Sequence, residues 1–105
     1  ITLIYMKKEI LIEKSYTQAK DRNGTDALTL FHVGESYEAY YDDAETITRT
    51  TGIPLFSITA GKIPAVRIPA PDMESCRNRL LNAGHTVCVS EVRGASGRHI
   101  IKTDE

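Results

Sequence analysis

From Leu28 to Ala44 the apolar pattern changes period twice, and few architectures accept such a segment. Leu28-Thr29-Leu30-Phe31-His32-Val33 is a short, nearly continuous apolar run, as a buried strand requires. Gly34 turns the chain. Ser36 to Tyr41 then alternates, which places Tyr37, Ala39 and Tyr41 on one face and Ser36, Glu38 and Tyr40 on the other, with one face made for the core. Asp42 or Asp43 can cap the helix that follows, and Asp42 with Glu45 forms a capping-box-like pair. Ala44, Ile47 and Thr51 share a face of that helix, and Gly52 supplies a left-handed stop. Strand, turn, strand and helix in such quick succession call for a sheet with helices laid on it.

The flanking segments extend this pattern. A helix rich in Lys and Glu is expected over roughly residues 7–21, ended by Asn23-Gly24. Ile53 to Thr59 and Ile63 to Ile68 read as a hairpin through Ala60-Gly61-Lys62, with Pro54, Pro64 and Pro69 near the ends of the runs. Pro71 opens a third helix whose buried side carries Met73, Cys76, Leu80 and Leu81, and Gly84 closes it. Thr86 to Val92 and Arg98 to Lys102 complete the chain as strands around Gly94-Ala95-Ser96-Gly97. The fold expected is α/β (α+β) in the order α-β-β-α-β-β-α-β-β. It makes one domain over residues 1–105, with a mixed sheet of about six strands and three helices.

Leu30-Phe31-His32-Val33-Gly34-Glu35-Ser36-Tyr37-Glu38-Ala39-Tyr40-Tyr41-Asp42-Asp43-Ala44 resembles the LFFRxGDFYELFxxDA segment that begins the N-terminal mismatch-reading domain of the MutS family of DNA-repair proteins. The resemblance continues through Gly52-Ile53-Pro54-Leu55, Ile63-Pro64, Pro69 and Leu80-Leu81-Asn82-Ala83-Gly84-His85-Thr86-Val87-Cys88-Val89-Ser90-Glu91, which are similar to the family's GITL, IPMAGVP and LVEAGYKVAICEQ. It spans roughly residues 10–102. It implies the MutS N-terminal-domain fold and contact with DNA. The family pushes a phenylalanine into the duplex from the minor groove and stacks it on a mispaired base, while a glutamate bonds to that base. Here the phenylalanine is Ser36, whereas the glutamate remains as Glu38. Ala65-Val66-Arg67 stands where the family has Met-Ala-Gly, and Pro69-Ala70-Pro71 replaces its Pro-Tyr-His.

Charge sets a condition on DNA contact. Residues 1–52 carry six basic and nine acidic side chains, and residues 53–105 carry seven and five. Duplex affinity grows with each phosphate met by Lys or Arg, yet Glu35 to Glu45 holds five acids and no base. That face repels a phosphate backbone unless Lys62, Arg67, Arg93 or Arg98 lies beside it. Isolated binding at physiological salt is therefore expected to be weak.

Other chemistry is scarce. No Gly-rich loop ending in Lys-Ser or Lys-Thr is present, so this chain does not carry the ATPase of MutS-type repair. His32, His85 and His99 have no metal-ligand spacing, and Ser75 and Ser90 lack a nucleophile elbow. Cys76 and Cys88 read as core thiols in a reducing cytoplasm. No run is long enough to span a bilayer. An acid interrupts the apolar run after Met6-Lys7-Lys8, so the start reads as a mature segment and not a signal peptide. Ile1 is not a natural start, and a cut piece or a leftover residue is expected.

The function expected is a non-enzymatic, MutS N-terminal-domain-like module. It associates weakly with DNA at a mismatch, junction or single strand, and lacks both the stacking ring and the ATPase. Candidate nucleic-acid contacts are Ser36, Tyr37, Glu38, Lys62 and Arg67, with no cofactor, metal or catalytic residue and no membrane partner. A longer parent chain or a bacterial mobile element is the expected context. Two alternatives follow from the residues. A protein partner could dock on the sheet edge or on Tyr37-Tyr40-Tyr41, or a metal-dependent nuclease could use Glu35, Glu38, Asp42 and Asp43.

Overall fold

The computed structural model describes residues 2–93 and 98–104, and side-chain surroundings for 8–91. Helix α1 runs Thr2–Asn23, and strands β1 (Leu28–Val33) and β2 (Ser36–Tyr40) form the first hairpin. Helix α2 (Tyr41–Thr51) follows directly. Strands β3 (Phe56–Ile58) and β4 (Ile63–Pro69) form the second hairpin. A 3-10 turn at Ala70–Asp72 leads into α3 (Met73–Asn82), and β5 (Val87–Arg93) and β6 (Arg98–Asp104) complete the order. The strands make one mixed sheet ordered β3-β4-β2-β1-β5-β6, in which β1 and β5 run parallel and the other neighbours antiparallel. This is the α/β (α+β) arrangement expected. The Gly94–Gly97 turn lies outside the described residues.

Both faces of the sheet are buried, where the alternation in β2 marks one. On one side Leu28, Leu30, Ala39, Val66, Ile68, Val87 and Val89 meet Ala44 and Ile47 of α2 and Met73, Cys76 and Leu80 of α3. Each fully buried aliphatic side chain contributes about 1.5–3 kcal/mol. On the other, Phe31, Tyr40, Ile63 and Ala65 meet Ala19, with Ile12 and Tyr16 of α1 packed against them. Helix α1 starts five residues before the expected residue 7 and runs two past the expected Asp21, next to Lys20, whose ammonium anchors its C-terminal end.

Tyr41 departs from the expected alternation. Its φ of 58° lies in the left-handed region, unusual for a side chain of this size, and ends β2 one residue early. The ring therefore swings to the α1 side, 4.9 Å from Tyr16, instead of joining Tyr37 and Ala39.

The acidic pair after Tyr41 also departs from expectation, because no side chain caps α2. Asp43 is 3% exposed and buried between three elements. Its Oδ1 accepts from Lys20 Nζ at 2.5 Å and its Oδ2 accepts from the Thr29 N–H at 3.0 Å. The β1–β2 ladder reaches only as far as Phe31 and Glu38, so Asp43 takes a backbone donor beyond its end. Lys20 also donates to the carbonyls of Ala27 at 2.6 Å and Thr25 at 3.1 Å. The end of α1, the start of β1 and the start of α2 are thus pinned together. Gly52 ends α2 as expected, at φ 81°, with its N–H donated to Thr48.

Candidate nucleic-acid interface

Gly34, at φ 63°, reverses the chain between β1 and β2, a conformation that costs glycine little. The Glu35 carbonyl accepts the Ala70 N–H at 3.0 Å, which fixes this turn to the end of β4. Register then sets the neighbours. Ser36 stands opposite Val33 on one side and Pro69 on the other, while Glu38 stands between Phe31 and Arg67. Directly paired residues share a face, so Ser36, Glu38, Arg67 and Pro69 all lie on the α1 side.

Glu38 is fully engaged. Its Oε1 accepts from the Tyr40 hydroxyl at 2.8 Å, and its Oε2 accepts from Arg67 Nε at 3.0 Å. The Glu38 side chain is 12% exposed and that of Arg67 is 54% exposed. The Arg67 guanidinium also lies over the Phe56 ring, its carbon 5.1 Å from the ring centroid. Burial, and next the Glu38 carboxylate, push the Tyr40 hydroxyl far above the ordinary tyrosine range, so it remains a donor.

The other candidates lie apart. Tyr37 is on the α2–α3 side, stacked on His32 with ring centroids 4.3 Å apart, and His32 Nδ1 lies 2.8 Å from Glu91 Oε2. Lys62 precedes β4 at the end away from Ser36, roughly 20 Å along the strand by its rise per residue. Its ammonium lies 3.8 Å from Glu9. Arg93 and Arg98 face each other across β5 and β6, and His32 pairs with Glu91, so their backbone lies at the Gly34 end of the sheet. Their side chains fall outside the described residues.

The acids proposed for metal chemistry do not converge. Glu35 is exposed in the turn, Glu38 is paired, Asp42 is exposed and Asp43 is bound to Lys20. Among the described residues no three His, Cys, Asp or Glu side chains gather as metal ligands. Ser90 is fully buried, and Cys76 and Cys88 are buried without a disulfide. Burial raises the Cys76 thiol above its usual range. Tyr40 is buried and Tyr41 is packed on Tyr16, so the three tyrosines do not form the single exposed cluster considered for a partner protein.

Sequence reasoning missed the Glu38–Arg67–Phe56 arrangement, because it is assembled from separate strands. The signal available was hairpin register: a correct β2–β4 alignment places residues 38 and 67 side by side.

The family model of MutS domain I matches residues 12–102. The chain belongs to the MutS domain I family. Curated MutS relatives agree. The chain is 36% identical over 94 residues to the DNA mismatch repair protein MutS of Persephonella marina, a match covering 85% of this chain and 11% of that one. It is 34% identical over 85 residues to the MutS of Chlamydia abortus, covering 81% and 10%. It is 41% identical over 70 residues to the MutS of Methanothrix thermoacetophila, covering 63% and 8%. The chain therefore spans about a tenth of the length of the MutS relatives it matches. No helix among the described residues is long and apolar enough to cross a membrane.

Proposed function

We propose that this MutS domain I chain is a non-enzymatic DNA-contacting module that uses the Gly34 end of its sheet, with Ser36, Glu38 and Arg67 at the centre. The observation that carries this reading is the Glu38–Arg67 pair at 3.0 Å near Ser36, which holds a guanidinium group 54% exposed on that face of the sheet. Lys62 acts at most as a distant phosphate contact, and Tyr37 supports the edge from behind through His32.

Detection of a mispair by an inserted ring is lost with Ser36. A hydroxymethyl group cannot supply the stacking of roughly 1–3 kcal/mol that an aromatic gives against a base. The MutS relatives are named for DNA mismatch repair and this chain spans about a tenth of their length, so a longer parent or mobile-element protein is its proposed setting. Anisotropy titrations with matched, mispaired and single-stranded DNA at low and physiological salt test the reading. Expected are salt-sensitive binding, a change in Glu38→Ala and a gain for mispaired duplex in Ser36→Phe. Absence of binding to every DNA form at low salt would refute it.

A further inference from the structure

We propose that Arg67 supplies the stacking surface that Ser36 lacks: its guanidinium plane, backed by Phe56 and oriented by Glu38, stacks on an unpaired base of the bound DNA. This rests on the DNA-contact reading and names the group that recognises the base.

Two features of the geometry carry it. Arg67 sits diagonally next to Ser36 on the same face, two pairs along the ladder, so a planar group stands near a position with a small side chain. Diagonal neighbours on a sheet lie within reach of long side chains. Finally, the plane is held from two sides, by Glu38 through Nε at 3.0 Å and by the Phe56 ring at 5.1 Å, yet the side chain remains 54% exposed. Arginine stacks on flat π systems while keeping its hydrogen bonds in the plane, which lysine cannot do.

A phosphate contact fits this arginine less well. Its charge is already met by Glu38, and Glu35 stands exposed in the adjacent turn, so an approaching phosphate would meet carboxylates. A base presents a neutral face and needs no such approach. Glu38 acts here as a positioning residue, its other oxygen fixed by Tyr40 at 2.8 Å.

The test uses two duplexes of equal length, one carrying the fluorescent base aminopurine unpaired and the other carrying it paired. The protein is expected to bind the unpaired duplex more tightly and to quench its fluorescence. In Arg67→Lys and Arg67→Gly the ratio of the two affinities should fall about tenfold, the size expected for one lost base stack. Phe56→Leu should fall between these and the unaltered protein, and Arg49→Lys, on the exposed side of α2, should keep the ratio. Arg67→Lys keeps the charge, so a ratio unchanged in that variant would overturn the stacking role while leaving DNA contact intact. Failure of both duplexes to bind at low salt would overturn the DNA reading together with this one.

Discussion

Among the described residues, two carboxylate–cation pairs that lie beside a tyrosine, Lys20–Asp43 and Arg67–Glu38, have opposite fates. Lys20–Asp43 is closed: its side chains are 11% and 4% exposed, and every nearby donor and acceptor belongs to the fold. Arg67–Glu38 is open, with a cation 54% exposed whose outer face is available to another molecule. The chemistry is alike, and position decides the role. A pair at the junction of three elements fixes the fold, whereas a pair on the sheet near a turn can present one member outward.

Removing one member of each pair separates them most sharply. Lys20→Ala strands a buried carboxylate and should cost about 3–5 kcal/mol in denaturant unfolding. A loss below about 1 kcal/mol would erase the distinction between the pairs. Tyr40→Phe leaves Glu38 with only Arg67 and should cost about 1.5–3 kcal/mol, because a hydrogen bond to a charged group is lost from a buried site. Arg67→Ala should cost less than Lys20→Ala, roughly 1–2 kcal/mol, because the lost cation is 54% exposed while Glu38, 12% exposed, keeps its bond from Tyr40. Equal losses in Lys20→Ala and Arg67→Ala would show that exposure does not set their roles.

Alkali tests the tyrosines of both pairs. Burial, with Asp43 and Asp42, pushes Tyr16 up to about 12 from its ordinary 10.0, and burial with Glu38 pushes Tyr40 higher still. Both phenols hold their protons more tightly folded than unfolded. Their contribution to stability is therefore whole below the ordinary value and is lost as pH rises through the folded one. Phenolate absorbance should show these two tyrosines ionising late, together with unfolding. Ionisation of all five tyrosines near the ordinary value in a folded protein would contradict the half-burial of Tyr16 and the burial of Tyr40.

The comparison also explains what was legible in the sequence. Periodicity and glycine placement marked the strands, the helices and the stop at Gly52, because these depend on neighbours in the chain. Asp43 was read as a cap, since its partners Lys20 and Thr29 lie 23 and 14 residues away and no local pattern links them. Tyr41 followed the strand pattern until its left-handed φ moved it to the other face. Ser36 and Glu38 were placed on one face by the simple two-residue period, and the structure keeps them there. In the sequence Arg67 shows only its charge. Its bond to Glu38 and its place over the Phe56 ring depend on the register of the sheet.

The most direct test of the central claim is amide chemical-shift mapping of the labelled domain during titration with a mispaired duplex at low salt. Contact through the Gly34 end of the sheet predicts the largest shifts at Gly34 to Glu38 and Arg67 to Ala70, with little change along α3. Shifts centred on α3, or none at saturating DNA, would contradict it.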